Sequence, residues 1–315
     1  MPSRAPAPIV TLTLNPSVDL SFFVDRLAPR EKLRCQEPRR DAGGGGVNVA
    51  RAIRRLGGRA VAVFPAGGPN GERLQAMLKA ERLAVIATPA AGETREDFTA
   101  EVRATADQYR FVMPGPRLTT GELQGVLSAL ASLSPAVLVA SGSLPPGAPV
   151  TFYGRLARSL RSRGAKLALD AAGPALRHGL AGGVWLVKPN LRELEEIVGA
   201  PLNAIEPRVR ACRSIIESGH AELVALSMGA AGALLVSADQ ALLANAPAVA
   251  AVSTIGAGDS FMGALVLALS TGLSHDQALQ RAVAAGSAAL LAPGTQLCRA
   301  SDAKRLLDRV SATAL

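Results

Sequence analysis

One carboxylate stands within a glycine-rich segment, Ser253–Phe261 with the sequence STIGAGDSF, which opens an apolar run that ends at Leu269. Glycine and alanine leave backbone amides accessible to an anion, and the apolar run predicts a helix whose first amides point toward the same place. A carboxylate there would repel a bound phosphate, so Asp259 is better suited to take a proton from an attacking hydroxyl group. The segment therefore indicates phosphoryl transfer from a nucleotide to an alcohol. The alternative is that Asp259 and Ser260 cap the helix.

Segments with strand and helix patterns alternate along the chain and would position these groups. Apolar segments predict strands at 11–14, 60–64, 84–87, 136–140, 166–170, 184–187 and 223–227, and helices are predicted at 47–56, 71–81 and 149–163. This alternation predicts an α/β fold in which helices cover both faces of a mostly parallel sheet. Glycine-rich or polar residues follow several strands, which is where ligands bind in open α/β sheets.

Two segments, about 20–36 and 96–113, lack helix periodicity and alternate polar with apolar residues. They predict strands outside the main sheet, in a small lid, while residues 1–315 as a whole are expected to form a single domain. Isolated hairpins are marginal in water, and apolar lid residues such as Phe22 and Phe23 need cover. We therefore expect a homodimer that pairs through the lid.

The composition bears on partners and on localisation. Apolar residues make up 49% of the chain and charged residues 19%, proportions that are typical of a globular protein. The sequence has no apolar stretch long enough to span a bilayer. Met1–Pro8 lacks the apolar core of a signal peptide, and three widely spaced cysteines fit reduced thiols, so a cytoplasmic protein without a membrane partner is expected. The net charge of +9 raises nucleic acid as a partner, but scattered arginines and few aromatic residues favour anionic metabolites.

Two glycine motifs resemble those of the PfkB, or ribokinase-like, carbohydrate kinases: Gly43–Ala50, with the sequence GGGGVNVA, and Gly256–Ser260, with the sequence GAGDS. The sequence has no Gly-Lys pair and therefore no Walker A loop. Segments at 11–19, 32–35, 109–115, 141–147, 188–193 and 284–289 also resemble the sugar-phosphate branch of that family, in order and spacing. The resemblance implies a ribokinase-like α/β fold with a small β lid, and an ATP-dependent kinase that uses Mg²⁺.

The resemblance also implies roles for particular residues. Asp259 would be the catalytic base, and the amides of Gly256, Ala257 and Gly258 would form an anion hole for the transferred phosphoryl group. The sugar hydroxyl groups would be held by Asp19, Gly44, Gly45 and Asn48, and the sugar's own phosphate by Arg95, Ser143 and Lys32, the last from a neighbouring subunit. The ATP site would comprise Lys188, Asn190, Ser227, Gly229 and Gly232.

Two cation sites follow from the same resemblance. Glu193 and Asn190 would act on Mg²⁺ through water. A K⁺ loop, largely of backbone groups, would comprise Ser253, Ile255, Ala289, Ala292 and Gly294. Ala292, Pro293 and Gln296 depart from the polar and basic residues typical of that loop, so its affinity for K⁺ is expected to differ.

Several of these residues have a purely structural alternative. The run Gly43–Gly46 could be only a tight turn between a strand and a helix. Asn190 and Glu193 could be a capping pair, and Asp19 could cap a turn after Pro16. Arg95 and Lys32 could be ordinary surface charges.

The substrate that the resemblance implies is fructose 6-phosphate, phosphorylated at its 1-hydroxyl group to fructose 1,6-bisphosphate. Asn15 and Pro16 are more typical of the branches that phosphorylate fructose 1-phosphate or tagatose 6-phosphate, but those branches usually place a lysine where this chain has Gly45. The segment 110–115 favours fructose 6-phosphate. The non-enzymatic alternative is a protein that senses a nucleotide or a sugar phosphate without turnover, and Asp259 argues against it.

Overall fold

Residues 7–294 and 296–315, which the computed structural model describes, form alternating strands and helices. Most of the Met1–Pro8 segment therefore lies outside the described residues. The strands are β1 Ile9–Leu12, β2 Ser17–Val24, β3 Gln36–Gly43, β4 Ala60–Ala66, β5 Ala84–Pro89, β6 Arg95–Val102, β7 Gln108–Phe111, β8 Val137–Ser141, β9 Lys166–Asp170, β10 Val184–Val187, β11 Ala221–Ser227, β12 Ala233–Val236, β13 Ala241–Ala244 and β14 Ala312–Ala314. The helices are α1 Gly45–Arg55, α2 Gly68–Ala80, α3 Thr120–Leu133, α4 Phe152–Arg161, α5 Gly173–Leu180, α6 Leu191–Val198, α7 Ile205–Glu217, α8 Ala257–Ser270, α9 His275–Ala289 and α10 Ala300–Leu307.

The main sheet has ten strands in the order β14-β13-β12-β11-β10-β9-β8-β1-β4-β5. Its pairs from β11 to β5 are parallel, and β12, β13 and β14 are added antiparallel at one edge. Since the carboxyl ends of the parallel strands lie at one edge of this sheet, the residues that follow β1, β8, β9 and β10 are brought together there.

Helices cover both faces of the main sheet. Successive residues of a strand point to opposite faces, and in β1 Ile9 belongs to one buried cluster while Val10 and Leu12 belong to the other. The first cluster contains buried residues of α1, α2, α8, α9 and α10, and the second contains those of α3, α4, α5, α6 and α7. The predicted α/β class, with a mostly parallel and doubly covered sheet, is confirmed.

A second sheet of four strands, in the order β3-β2-β6-β7, stands apart from the main one, and we call it the lid sheet. Its strands differ from the predicted segments, because β2 begins at Ser17 and β3 lies almost wholly beyond residue 36. The sequence of β3, QEPRRDAG, is exposed over its first half and shows no apolar alternation, so periodicity does not reveal it. Residues 25–35, predicted as strand, form a loop instead.

Among the helices that the structure describes, none is both long enough and apolar enough to span a bilayer.

Candidate active site

A cleft of about 440 Å³ opens at the carboxyl edge of the main sheet. Four of its lining residues are ones that the sequence predicted for the site, Gly45, Ser143, Glu193 and Asp259. They come from four different parts of the chain, and the parallel strands bring them together. A larger cavity of about 720 Å³ lies at the amino-terminal end of β1, and none of the predicted site residues is among those that line it.

The N-terminus of α8 presents free backbone amides to the cleft. The N-cap residue is Gly256, whose φ of 77° is left-handed and whose lack of a side chain leaves the helix without a side-chain cap. Asp259 and Ser260 lie inside the helix, so the alternative that they cap it is wrong. A Cβ atom placed on Gly258 would lie 3.5 Å from Nζ of Lys188, so that ammonium group lies beside the first turn of α8. Amides and ammonium together form an anion site.

The carboxyl group of Asp259 faces this anion site. Its Oδ2 accepts a hydrogen bond of 3.0 Å from Nδ2 of Asn48, on α1. Desolvation and the nearby Asp170 carboxylate raise the pKa of Asp259 to about 6, although the Asn48 bond and Lys188 act in the opposite direction. A carboxyl group with this pKa is ionised at pH 7 yet basic enough to accept a proton from an alcohol in the transition state.

Lys188 and Asp170 form a buried ion pair in the same cleft. Nζ of Lys188 lies 3.1 Å from Oδ2 of Asp170, and the lysine side chain is 7% exposed. Burial favours the neutral amine, but the carboxylates of Asp170, Glu193 and Asp259 outweigh it and raise the pKa of Lys188. Asp170 was not predicted as a site residue. Its position at the carboxyl end of a buried strand is the signal that could have identified it.

Asn190 and Glu193 form a capping box at the start of α6. Oδ1 of Asn190 accepts a bond of 2.9 Å from the amide of Glu193, and Oε2 of Glu193 accepts one of 2.9 Å from the amide of Asn190. The alternative that Asn190 and Glu193 are a capping pair is therefore confirmed. Glu193 still lines the cleft, where burial, with a smaller contribution from Asp170, raises the pKa of its carboxyl group despite the Asn190 bond.

The residues predicted to bind ATP follow neighbouring strands. Asn190 bridges to Ser227 at the end of β11, and the amide of Ser227 donates to the carbonyl of Pro189 at 3.0 Å. Gly229 and Gly232 flank the next turn, which the amide of Met228 closes by a bond of 2.9 Å to the carbonyl of Gly232. Ser227 and the two glycines thus lie on the loop next to Asn190 and Lys188.

The cleft offers oxygen donors for a divalent cation. Mg²⁺ commonly binds one or two protein carboxylates together with substrate phosphates and waters. The capping box uses only Oε2 of Glu193, and Asp170 lines the same cleft. The described residues contain no cluster of three acidic, histidine or cysteine side chains that would hold a metal without substrate. The donor set fits Mg²⁺ carried by a nucleotide.

Glycines 43 to 45 bring backbone close to polar side chains, among them those of Asp19 and Ser141. Gly44 is the N-cap of α1 with a φ of 101°, and a Cβ atom on Gly45 would collide with the Ser141 side chain. A Cβ atom on Gly43 would collide with Asp19, which is buried in the middle of β2 and accepts a bond of 2.6 Å from Ser17 Oγ. Asp19 therefore caps no turn after Pro16, and that alternative is wrong. Burial raises the pKa of its carboxyl group.

Arg95 is held firmly by the protein. Its Nη1 donates to the carbonyl of Met113 at 2.7 Å, its Nη2 donates to the carbonyl of Asn15 at 3.1 Å, and Asp97 lies 3.4 Å from Nη1. With a side chain 9% exposed, Arg95 is not an ordinary surface charge. Both Nη atoms of the guanidinium group already have an acceptor within the protein. The buried Nε atom has no acceptor among the described residues.

Asn15 links Arg95 to another predicted residue. Its Nδ2 donates to Ser143 Oγ at 3.2 Å, so Arg95 and Ser143 lie on either side of one asparagine. Asn15 was not predicted as a site residue; the Asn15-Pro16 pair only indicated the branches that phosphorylate fructose 1-phosphate or tagatose 6-phosphate. Lys32 is exposed on the loop between β2 and β3 and is not among the residues that line the cleft.

The residues predicted for the K⁺ loop are also adjacent. Ser253 Oγ donates to the carbonyl of Gly294 at 2.9 Å and accepts a bond of 3.2 Å from the amide of Ile255. Ala289 and Ala292 lie at the end of α9, joined by a backbone bond of 3.1 Å. The lid sheet reaches the same loop, because Arg39 Nη2 donates to the carbonyl of Pro293 at 2.9 Å.

Known proteins are similar to this chain over most of its length. A family model described as pfkB family carbohydrate kinase matches residues 10–302. The ATP-dependent 6-phosphofructokinase isozyme 2 of Mycobacterium tuberculosis is 43% identical over 302 residues, 95% of this chain and 89% of that protein. The 1-phosphofructokinase of Xanthomonas campestris is 35% identical, over 94% of this chain and 93% of that protein. A crystal structure of phosphofructokinase-2 from Escherichia coli in complex with potassium matches with a TM-score of 0.93 and 40% identity, over 96% of this chain and 99% of that chain. The predicted family resemblance is confirmed.

Proposed function

Since the chain belongs to the pfkB family of carbohydrate kinases, we propose that it transfers the γ-phosphoryl group of ATP to the 1-hydroxyl group of fructose 6-phosphate. The products are fructose 1,6-bisphosphate and ADP. The chain is an ATP-dependent phosphotransferase with a sugar phosphate as acceptor, and a sensor without turnover is set aside. The observation that carries the proposal is the Asp259 carboxyl group beside the free amides of α8.

Asp259 would act as the general base. The 1-oxygen of the sugar attacks the γ-phosphorus, a new oxygen–phosphorus bond forms, and the bond to the ADP oxygen breaks. The hydroxyl proton passes to Asp259, whose raised pKa suits it to accept a proton late in the step. The amides of Gly256, Ala257 and Gly258, with the Lys188 ammonium group, would stabilise the negative charge on the transferred group.

Mg²⁺ would be held on the nucleotide side of the cleft. Glu193 and Asp170 are the carboxylates that would bind it, through water in the case of Glu193. When bound, the ion neutralises charge on the ATP phosphates. Asn190, Ser227, Gly229 and Gly232 would contact ATP at the edges of the same loops.

The sugar would lie between the first glycine motif and the lid sheet. Asp19, Asn48 and the backbone at Gly44 and Gly45 are grouped around the place where its hydroxyl groups would bind. Its phosphate would lie near Arg95, Asn15 and Ser143, with Lys32 contributed by a partner subunit. Because both Nη atoms of Arg95 already have an acceptor, we propose that it binds phosphate through its remaining N–H groups.

Potassium is a further expected ligand. The related Escherichia coli enzyme has been crystallised with potassium. In this chain the Ser253 hydroxyl group is bonded both to the Gly294 carbonyl and to the Ile255 amide, so the segments whose backbone oxygens would bind such an ion are adjacent. We propose a K⁺ site there, beside the start of α8.

A homodimer would complete the sugar site. The edge strand β7 and the two residues after it expose the apolar side chains of Tyr109, Phe111, Val112 and Met113. Exposed apolar edge strands are usually covered by a partner. Pairing of two lid sheets would cover them and would bring Lys32 toward the neighbouring cleft.

The test is a comparison of three sugar phosphates. Purified protein is assayed for ADP release with fructose 6-phosphate, fructose 1-phosphate and tagatose 6-phosphate, and kcat/KM is determined for each. We expect fructose 6-phosphate to be the best substrate. A higher kcat/KM for fructose 1-phosphate would favour the second candidate, a 1-phosphofructokinase, which the similarity to the Xanthomonas campestris protein and the Asn15-Pro16 pair support. No turnover of any of the three would contradict the proposed function.

A further inference from the structure

Behind Asp259 lies a continuous series of polar contacts that leads away from the cleft. Asp259 accepts from Nδ2 of Asn48 at 3.0 Å, and Oδ1 of Asn48 accepts from Nη1 of Arg51 at 3.1 Å. Arg51 lies one turn further along α1 and its side chain is 2% exposed. Arg51 does not line the cleft, and Asn48 is the single residue between it and the Asp259 carboxyl group.

Arg51 is anchored on every side by groups that can only accept hydrogen bonds. Its Nη2 lies 2.6 Å from Oε1 of Glu81, and its Nε donates to the same carboxylate at 3.0 Å. Its Nη1 also donates to the carbonyl of Ala42, near the end of β3, at 2.7 Å. A guanidinium group is planar and donates in a fixed fork. The bonds to Glu81 and to the Ala42 carbonyl therefore fix the guanidinium group, and with it the second N–H of Nη1, which donates to Asn48.

That donor determines which way the Asn48 amide faces. The two ends of an asparagine amide are opposite in character, since the oxygen accepts and the NH₂ group donates. Arg51 can only donate and the ionised Asp259 can only accept. Reversing the amide would put NH₂ against the guanidinium and oxygen against the carboxylate, and both contacts would be repulsive. Only the orientation with NH₂ toward Asp259 satisfies both neighbours.

We propose that Arg51 is a positioning residue that fixes the Asn48 amide and thereby the hydrogen bond to the catalytic carboxyl group. The inference rests on the proposed function, in which Asp259 is the base. The charged groups around Asp259 are Asp170 and Lys188 on the nucleotide side and Asp19 on the lid side. Glu81, which is 32% exposed, and Arg55 surround the far end of Arg51.

A purely structural role for Arg51 makes a different prediction. In that role the Arg51–Glu81 ion pair only joins α1 to the C-terminus of α2. Any cation opposite Glu81 would then preserve the activity. Arg51→Lys keeps such a cation but loses the fork that reaches Asn48, Ala42 and Glu81 together. This variant therefore separates the two roles, because it retains a cation opposite Glu81.

The experiment measures the pH dependence of kcat in wild type, Arg51→Lys and Arg51→Gln, with whichever sugar phosphate the wild type turns over. We expect kcat to fall about tenfold or more in both variants, because a slightly misplaced catalytic group loses most of its advantage. The acidic limb should also move to higher pH, since the Asn48 bond that lowers the Asp259 pKa is no longer held in place. Arg54→Gln is the matched control: Arg54 is exposed on the same helix and donates to the backbone carbonyl of Glu81, and its kcat and pH profile should not change.

A double-mutant cycle tests whether Arg51 acts through Asn48. In an Asn48→Ala background, Arg51→Lys should cost less than about twofold further in kcat, because its target is already gone. Equal losses in the two backgrounds would overturn the inference, as would a folded Arg51→Lys protein with wild-type kcat and pH profile. The proposed function fails separately, if the wild type itself turns over no sugar phosphate, and the inference then falls with it.

Discussion

The chemistry of the Asp259 carboxyl group is set by its immediate neighbours. Desolvation and Asp170 raise its pKa to about 6, while Asn48 and Lys188 keep it from rising further. Lys188 also lies beside Gly258 in the first turn of α8, where the transferred phosphoryl group is proposed to bind. Base and anion site are thus adjacent, as transfer to a hydroxyl group requires.

Asp259→Asn should remove the base and keep the shape of the site. We expect kcat to fall by at least about 10²-fold with little change in KM for ATP. In the wild type, kcat should decline as the pH falls through about 6, because the base is active only when deprotonated. Since sugar phosphates also titrate near pH 6, the residual rate of the variant is the control, and it should lack this limb. Near wild-type turnover in Asp259→Asn would contradict the assignment.

Arg95→Ala tests recognition of the sugar phosphate. The loss of a charge-assisted contact should lower kcat/KM for fructose 6-phosphate by about 30- to 1,000-fold, with little effect on the poor turnover of free fructose. Arg95 also donates hydrogen bonds to the carbonyls of Met113 and Asn15, so its loss could destabilise the protein. The thermal unfolding of the Arg95→Ala protein is therefore measured in parallel. The same ratio of the two activities in variant and wild type would mean that another residue, such as Lys32 or Arg34, reads the phosphate.

At the scale of elements, the starts of α6 and α8 differ in how they are capped. The first amides of α8 are left without a side-chain cap, whereas α6 has a complete capping box. Glu193 therefore has a structural task and a proposed catalytic one. The two can be separated, because glutamine retains an oxygen that accepts from the Asn190 amide but carries no charge.

Glu193→Gln should leave the thermal unfolding of the protein nearly unchanged and raise the Mg²⁺ concentration needed for half-maximal activity. The matched control is Glu122→Gln, since Thr119 and Glu122 form an equivalent capping box on α3 outside the cleft lining. Glu122→Gln should show neither effect. If Glu193→Gln keeps the wild-type Mg²⁺ dependence, capping is the whole role of Glu193.

The sequence predicted these elements well where periodicity or glycine spacing carries the information. Strands β4, β9 and β10 and the two glycine motifs were identified because apolar runs and glycine leave local signals. Strand β3 was missed because its polar sequence has no alternation. Arg51 and Glu81 are 30 residues apart and meet only because α1 and α2 pack together, so no local pattern reveals the pair.

At the scale of the whole molecule, the outer strand β7 of the lid sheet and the residue after it expose apolar side chains among the described residues. Phe111 is 49% exposed and Val112 is 58% exposed. A partner lid would cover both, and it would supply the cation that Lys32 offers to the neighbouring site.

Phe111→Arg should therefore weaken the dimer and raise KM for fructose 6-phosphate more than KM for ATP. Light scattering should give about twice the chain mass of 32.3 kDa for the wild type and a lower mass for the variant. Leu315→Arg is the control, because Leu315 is 55% exposed but follows β14 at the edge of the main sheet. An active wild-type monomer at micromolar concentration would contradict a lid-paired dimer.

The most direct test of the account is to identify the product. Wild type and Asp259→Asn are incubated with MgATP and fructose 6-phosphate, and the phosphorus spectra are recorded with time. We predict equal amounts of ADP and fructose 1,6-bisphosphate from the wild type, with the new phosphate on the 1-oxygen, and at least about 10²-fold slower formation by the variant. ADP with inorganic phosphate in place of the bisphosphate, or equal rates from the two proteins, would contradict it.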